Sequence, residues 1–426
     1  MEKLMHYIWE HRLLGERDLV TTTGEKVQII DPGHLNTDSG PDFFNAKIRI
    51  GNKIWAGNVE IHERASDWKR HNHHTDQAYD SVILHVVGVN DMQICRICGE
   101  MIPQMVMVCS PRFRDDYAFL VQQNSFLPCG DRLGELSPLV IADWISALFL
   151  ERLQQKSDRI FDWLKIYKGS WQEVCYVTLS RSIGLGTNND AFERLARGLP
   201  LIFLQKHAAS LIQLEAFLFG QAGLLEEYDL QDDSYYRRLS DEYLFLKNKF
   251  GLHPMKSESW KFFRLRPANF PHQRIAMLAR FISDGFSLFS GICDATEEKE
   301  YRQLFDIRLD SYWNTHYAFG RVSSDHPKTL GRTAVDILLI NTVAPLLYAY
   351  GMFTGDNVLI DRSMTLLESL KSEQNRIVRE FSSAGVKCNN ALESQALIQL
   401  HNAYCVPRKC LYCRIGHKLL ACKALK

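Results

Sequence analysis

Gly40-Pro41-Asp42-Phe43-Phe44-Asn45-Ala46-Lys47-Ile48-Arg49-Ile50-Gly51-Asn52-Lys53-Ile54-Trp55-Ala56-Gly57-Asn58-Val59-Glu60-Ile61-His62 is the stretch that decides the reading of this chain. Residues 43–50 and 54–62 alternate or run apolar. Gly51-Asn52 joins them, so they read as a β-hairpin. Side chains alternate along a strand, which points Glu60 and His62 to the same face. Asp42, at the start of the neighbouring strand, can meet them there. Two carboxylates and a polar base on one face can hold Mg²⁺ or Mn²⁺. Such cations take oxygen ligands and keep waters for a phosphate substrate.

Working outward, residues 4–14 read as a short helix, and 19–23 with 26–30 as a hairpin turning at Gly24. Residues 31–40 form a loop. Residues 66–79 are polar and read as a helix with Ser66 as N-cap. Residues 81–89 are a strongly apolar, buried-type strand, and 94–108 another hairpin turning at Cys98-Gly99. From about Leu136 the pattern changes to long amphipathic helices, among them 140–161, 201–220 and 359–381. The expected class is α+β, with a mixed α/β module followed by a large all-helical region. The expected domains are 1–130, 131–290 and 291–426, the last ending in a Cys-rich segment.

The chain has 426 residues, enough for two or three domains. Apolar residues at 46% and charged residues at 23% are those of an ordinary globular protein. Fifty basic residues balance fifty acidic ones. The basic excess common in nucleic-acid proteins is therefore missing overall, and a nucleic-acid surface would have to be local. No signal-peptide pattern opens the sequence. The best apolar stretch, 336–353, is interrupted by Asn341 and Pro345, so no membrane span or membrane partner is expected. Eleven cysteines without a secretion signal point to reduced thiols and a cytoplasmic protein. No P-loop, dinucleotide fingerprint or Gly-x-Ser-x-Gly occurs.

Four segments carry a resemblance over nearly the whole length: residues 40–46, Trp55-Ala56-Gly57-Asn58-Val59-Glu60-Ile61-His62, Ala65-Ser66-Asp67-Trp68 and residues 264–270. With them the chain resembles an uncharacterised bacterial family, domain of unknown function 2851, which implies no activity. A second resemblance covers residues 1–110 and rests on element order with Asp42, Glu60 and His62. It is to the PD-(D/E)xK, restriction-endonuclease-like nucleases. That likeness implies a metal at Asp42 and Glu60, with Glu10 on the first helix as an extra acid. His62 departs from the pattern, which usually has Lys there; neutral His can act as base or ligand but is not isosteric. Lys47 has the opposite parity to Asp42 and would need a bulge to substitute. Gln77 and Tyr79 sit where some helicase-type members carry Gln and Tyr, at a different spacing.

Three further clusters stand out. His71-Asn72-His73-His74-Thr75-Asp76 can supply nitrogen ligands to Zn²⁺ or Mn²⁺, and on a helix His73 and Asp76 would share a face. The bland reading is a polar helix face, preferred for His71 and His74. Cys95 and Cys98 have the spacing of a metal or redox pair but no second pair nearby, so they read as structural. Near the C-terminus, Cys405, Cys410 and Cys413 give three soft ligands within nine residues. His401, His417, Cys422 or Cys129 could be the fourth, for Zn²⁺ or an iron–sulfur cluster. Buried thiols at a helix end are the plain alternative. Finally, Arg264, Arg266 and Arg274 interleave with Trp260, Phe262, Phe263 and Phe270. That pattern suits single-stranded nucleic acid, and it also suits an interdomain joint.

The function expected from the sequence is a divalent-metal-dependent phosphodiesterase or nuclease with DNA or RNA as partner. Asp42 and Glu60 would bind metal, Glu10 would assist and His62 would hold or deprotonate water. One alternative is a nuclease-like module that has lost catalysis and serves binding. Another is a different metal hydrolase using Glu60, His62, His73 and Asp76.

Overall fold

The computed structural model describes every residue except 15–18, 37, 110, 227–229, 231, 310 and 425–426, and it leaves the side chains of 112 and 421–424 undescribed. The protein is mixed α/β, with one main sheet and many helices. It divides into two compact units. The first is Met1–Ala147 with Asn375–Lys387 and Leu397–Lys426; the second is Leu148–Gln374 with Cys388–Ala396. The C-terminal cysteine segment thus belongs to the unit that contains the sheet.

In the first unit, helix α1 (Glu2–Glu10) precedes strands β1 (Leu19–Val20), β2 (Lys26–Asp31), β3 (His34–Leu35), β4 (Phe43–Ile50) and β5 (Lys53–Arg64). Helix α2 (Asp67–Arg70) and two 3₁₀ turns, His73–Thr75 and Gln77–Tyr79, lead to β6 (Val82–Val89) and β7 (Gln104–Val106). The sheet order is β1-β2-β4-β5-β6-β7, with β3 also on β4. Strands β2, β4 and β5 are antiparallel, whereas β6 and β7 run parallel to β5. The change of sense follows from connection length. Two residues close the β4–β5 hairpin, but a parallel neighbour needs a crossover, which residues 65–81 supply.

Alternation decides what each face carries. Phe43, Ala46, Ile48, Val59, Ile61, Leu84 and Val86 share one core with Leu4, Ile8 and Trp9 of α1. The other face packs Trp68, Tyr79, Val82, Ile94 and Ile102. Glu60, His62 and His85 alternate with the first set and are buried, and His62 and His85 sit 5.1 Å apart by ring centroids, with Trp68 5.3 Å from His85. Gly57 marks the close crossing of β5 over the start of β6. A Cβ there would stand 2.4 Å from Ile83 Cγ2 and 2.7 Å from the Ser81 carbonyl oxygen.

The crossover corrects one expectation. The helix read over 66–79 is three short pieces, because Asn72 adopts the left-handed conformation (φ 64°) and turns the chain back. Ser66 stands at the N-cap position, but its hydroxyl donates to Asp91 Oδ2 at 2.8 Å instead of capping. The hairpin read over 94–108 reduces to a Cys95–Met101 bridge followed by β7 on β6.

The second unit is built mainly of helices. It takes the later part of helix α3 (Pro138–Ile166), then Trp171–Ile183, Asn189–Gly198, Leu211–Gln221, Ser234–Phe250, Pro271–Ser283 and Asn357–Ser369 among others. The helix expected over 201–220 is two helices, Leu201–Gln205 and Leu211–Gln221. That expected over 359–381 ends at Ser369, and a new helix begins at Arg376. Among the described residues one stretch, Arg332–Thr354, is long and apolar enough to cross a membrane, and most of it is buried within the protein. It contains a π-helical turn at Leu339–Val343.

Candidate metal centre

Strand register brings Asp42 and Glu60 together. Phe43 pairs with Val59, and the register then slips before Ala46 pairs with Gly57. Asn45, with φ 57°, makes the bulge. The two acids are tied reciprocally: the Asp42 amide donates to Glu60 Oε2 at 3.0 Å, and the Ile61 amide donates to Asp42 Oδ2 at 2.8 Å. The bulge also returns Lys47 to the parity of Asp42. Five strand residues at about 3.3 Å each still separate them, roughly twice a lysine's reach. Lys47 is exposed and does not replace the missing lysine.

Around Glu60 and His62 the crossover gathers imidazoles. His62 Nε2 lies 3.4 Å from Glu60 Oε1 and 3.2 Å from His71 Nδ1. His73 Nε2 lies 3.2 Å from Glu60 Oε1. Ligand atoms of His62, His71 and His73 all fall within 4.8 Å of one another, the one such set of three among the described residues. The three pairs at 3.2–3.4 Å match the edges of a coordination polyhedron, with Glu60 joining through His62 and His73. With metal–ligand bonds of about 2.1 Å, ligand atoms stand about 3.4 Å apart in a tetrahedron and about 3.0 Å apart in an octahedron. His62 Nδ1 meets His85 Nε2 at 2.8 Å, the arrangement in which a ligating histidine is oriented through its second nitrogen. His73 is held by stacking on Tyr79, with centroids 3.8 Å apart. Glu60 and His62 are buried, whereas His73 is half-buried and His71 exposed, so the centre opens to solvent on the crossover side.

The electrostatics suit a cation. Burial, then the Asp42 carboxylate, push Glu60 up to about 9. Burial, then His85, His73 and His71, push His62 down to about 2. Burial, then His73, take His85 down to about 3, and burial lowers His73. Lowering of this kind favours the neutral form of His62, His73 and His85, which keeps lone pairs for coordination. A bound cation would bring Glu60 back to its carboxylate form.

Beside this set stands His6 of α1, with Nε2 3.2 Å from Asp42 Oδ2. Burial disfavours its charge, but the Asp42 carboxylate, with Glu2 and Glu60, more than offsets this and raises its pKa. Glu2, one helical turn earlier, is within electrostatic reach of Glu60 and His6, and its own pKa is raised by burial and then by Asp42.

Other expected site residues lie elsewhere. Glu10 lines a separate cavity with His11, Leu139 and His417, so Glu2 and not Glu10 is the α1 acid near the carboxylate pair. Asp76 turns its carboxylate to the Ala78 amide at 2.9 Å and caps the second 3₁₀ turn. Arg274 is buried, donating to Asn269 Oδ1 at 2.8 Å, which removes it from any nucleic-acid surface. Arg264, stacked on Phe263, and Arg266 are exposed. Cys405, Cys410 and Cys413 are buried thiols within the first unit. Burial raises all three, and neighbouring sulfurs add to this for Cys405 and Cys410. Cys129 stands in electrostatic reach of all three, but among the described residues no three of these sulfurs lie within 4.8 Å of one another, and the Cys422 side chain lies outside the described residues. His401 stacks on Phe126 at 4.1 Å.

Sequence reasoning missed His6, Glu2 and His85, and it preferred a polar helix face for His71. The His-rich run was the available signal for His71. His85 looked like a core residue of an apolar strand, and only the parallel register of β6 beside β5, pairing it with Glu60, brings it to His62.

No curated protein and no solved structure matches the chain. The model of the family described as "Protein of unknown function (DUF2851)" matches residues 2–376, and the chain belongs to that family.

Proposed function

We propose that the protein is a metal-dependent hydrolase of phosphodiesters. A transition metal, Zn²⁺ or Mn²⁺, would be held by His62, His71, His73 and Glu60. The observation that carries this reading is the meeting of three imidazole nitrogens and a carboxylate oxygen at 3.2–3.4 Å around Glu60 Oε1 and His62 Nε2. Imidazoles select transition metals over Mg²⁺, so the donor set moves the expected cation away from magnesium. The phosphodiester assignment is supported by strand order: three antiparallel strands, a crossover and a parallel fourth, with Asp42 just before β4 and Glu60 on β5. That is the order of the nucleases the sequence resembles.

The cation would supply Lewis acidity to a water and to a phosphate oxygen. The protein's part is to hold and position. Glu60 and the histidines fix the cation, and His85 orients His62. Asp42 holds the His6 ring at the rim, where His6 can take the proton of the attacking water and return it to the leaving oxygen.

A structural metal is the second reading, favoured by the burial of Glu60 and His62 at 4% and 1% exposure. The test is cleavage of DNA, RNA and bis(p-nitrophenyl) phosphate with Zn²⁺, Mn²⁺ or Mg²⁺. Asp42→Ala and Glu60→Ala should lose at least roughly 100-fold, about 2.7 kcal/mol in the barrier. His6→Ala should lose activity while keeping its metal. His62→Lys should abolish both, because an ammonium cannot coordinate. Wild type that binds metal stoichiometrically but cleaves nothing would establish the structural reading. Wild type that does neither would leave a binding module.

A further inference from the structure

The second unit contains a cavity of about 210 Å³ whose lining includes Arg152, Lys156, Arg159 and Arg181 and no acidic side chain. Four cations around a small enclosed space repel one another unless something negative joins them. Arg181 is neutralised by Asp190 and Glu193, at 2.6 and 2.7 Å. Glu373 is in electrostatic reach of Arg152 and Lys156, and its carboxylate accepts from Gln395 and Ser394. Asp190 also reaches Arg159, so Asp190, Glu193 and Glu373 meet four cations, and positive charge is left over for a ligand to offset.

The wall of the cavity is built by an irregularity in the chain. The π-helical turn Leu339–Val343 breaks the regular i→i−4 ladder and leaves carbonyl oxygens to other donors. Lys156 Nζ donates to the Ile340 oxygen at 3.3 Å, to Asn341 Oδ1 at 3.0 Å and to Gln395 Oε1 at 2.7 Å. Ser182 Oγ donates to the Asn341 oxygen at 3.3 Å. These contacts fix the ammonium at the cavity edge. Burial, then Arg152, push Lys156 down to about 7, so holding its charge there is costly without an anion. Arg159 stands exposed at the mouth, and Trp163 with Pro345 gives an apolar side.

We propose that this cavity binds the phosphate group of a small phosphorylated molecule, with Arg152, Lys156 and Arg159 as its charge partners and Ser182 and Asn189 as neutral ones. The volume is below the roughly 300–1,000 Å³ of drug-sized sites. It admits a phosphoryl group with a small organic part, not a nucleic-acid strand. The inference is independent of the metal centre, which lies in the other unit.

The test is calorimetric titration of metal-free full-length protein with inorganic phosphate, adenosine monophosphate and a single-stranded oligonucleotide, at constant ionic strength. Phosphate or the monophosphate should saturate at one site per chain. Arg159→Glu, an exposed change, should weaken binding at least tenfold, and Lys156→Met should do the same if circular dichroism shows it folded. His73→Ala should leave binding unchanged. Equal binding by wild type and Arg159→Glu, or a heat reproduced by chloride alone, would overturn the proposal. So would saturation by the oligonucleotide and by neither small anion.

Discussion

Replacing His73 with alanine should remove most of the metal-linked stability of the sheet unit. His73 is half-buried, stacked on Tyr79 at 3.8 Å, with Nε2 3.2 Å from Glu60 Oε1. A ligand that binds only the folded state stabilises it by RT ln(1 + [L]/Kd). That is about 2.7 kcal/mol when the free metal is 100-fold above Kd. Altering even an outer-shell partner of a metal ligand weakens affinity about 10–100-fold, and loss of a direct ligand should cost at least the upper figure. At the same free metal the variant would then sit near its own Kd and gain only about 0.4 kcal/mol. For a unit of this size about 2–4 °C accompanies each kcal/mol. The metal-induced rise in melting temperature should therefore fall from roughly 5–10 °C in wild type to roughly 1 °C in His73→Ala. The assay is thermal unfolding of chelator-treated protein with and without buffered Zn²⁺ or Mn²⁺. Equal rises in both proteins would refute the assignment of His73 as a ligand, because stacking on Tyr79 contributes the same with or without metal.

Three other outcomes follow from the geometry. Asp42→Ala strips the Ile61 amide of its acceptor and should cost about 1 kcal/mol in denaturant unfolding, the low end of such losses because Asp42 is partly solvated. Gly57→Ala drives a Cβ to 2.7 Å from the Ser81 carbonyl, which is backbone and cannot turn aside, and should destabilise the sheet by about 1–3 kcal/mol in the same measurement. In the second unit, burial among Phe219, Phe262 and Phe319 pushes His272 down to about 4. The unfolded chain, with His near 6.5, then binds more protons than the folded one between pH 4 and 6.5, so stability falls as pH falls through that window. His272→Phe should flatten this slope, and pH-dependent unfolding curves that stay parallel would refute it.

The strand period made Asp42, Glu60 and His62 legible. Two residues per repeat fix which side chains share a face, and the Gly51-Asn52 turn fixes the pairing. Their shared environment, however, depends on what the period does not encode. The left-handed Asn72 ends α2 and swings His71 and His73 back over β5, which a continuous helix could not do. The bulge at Asn45 reverses the parity of Lys47, which alternation alone assigned to the other face. Glu2 and His6 share a face of α1, but only packing of that helix shows that the first turn lies nearer the carboxylates than Glu10 does. Cysteine spacing marked 405–413 as a ligand run. The π-helical turn His401–Cys405 and the 3₁₀ turn Cys410–Tyr412 do gather these thiols within electrostatic reach of one another and of Cys129, but among the described residues no three of them lie within 4.8 Å of one another. Long amphipathic patterns announced helices, yet not that Pro-poor segments such as 201–220 break at residues 206–210.

X-ray absorption at the metal edge, on purified protein whose metal content has been counted, tests the central claim most directly. The account predicts one Zn²⁺ or Mn²⁺ per chain, with nitrogen and oxygen scatterers at about 2.0–2.2 Å, imidazole outer shells and no sulfur. Loss of that signal in Glu60→Ala and His73→Ala should accompany it. A sulfur shell at about 2.3 Å would place the metal at the C-terminal cysteines, and protein prepared without chelators that carries no metal would contradict the account outright.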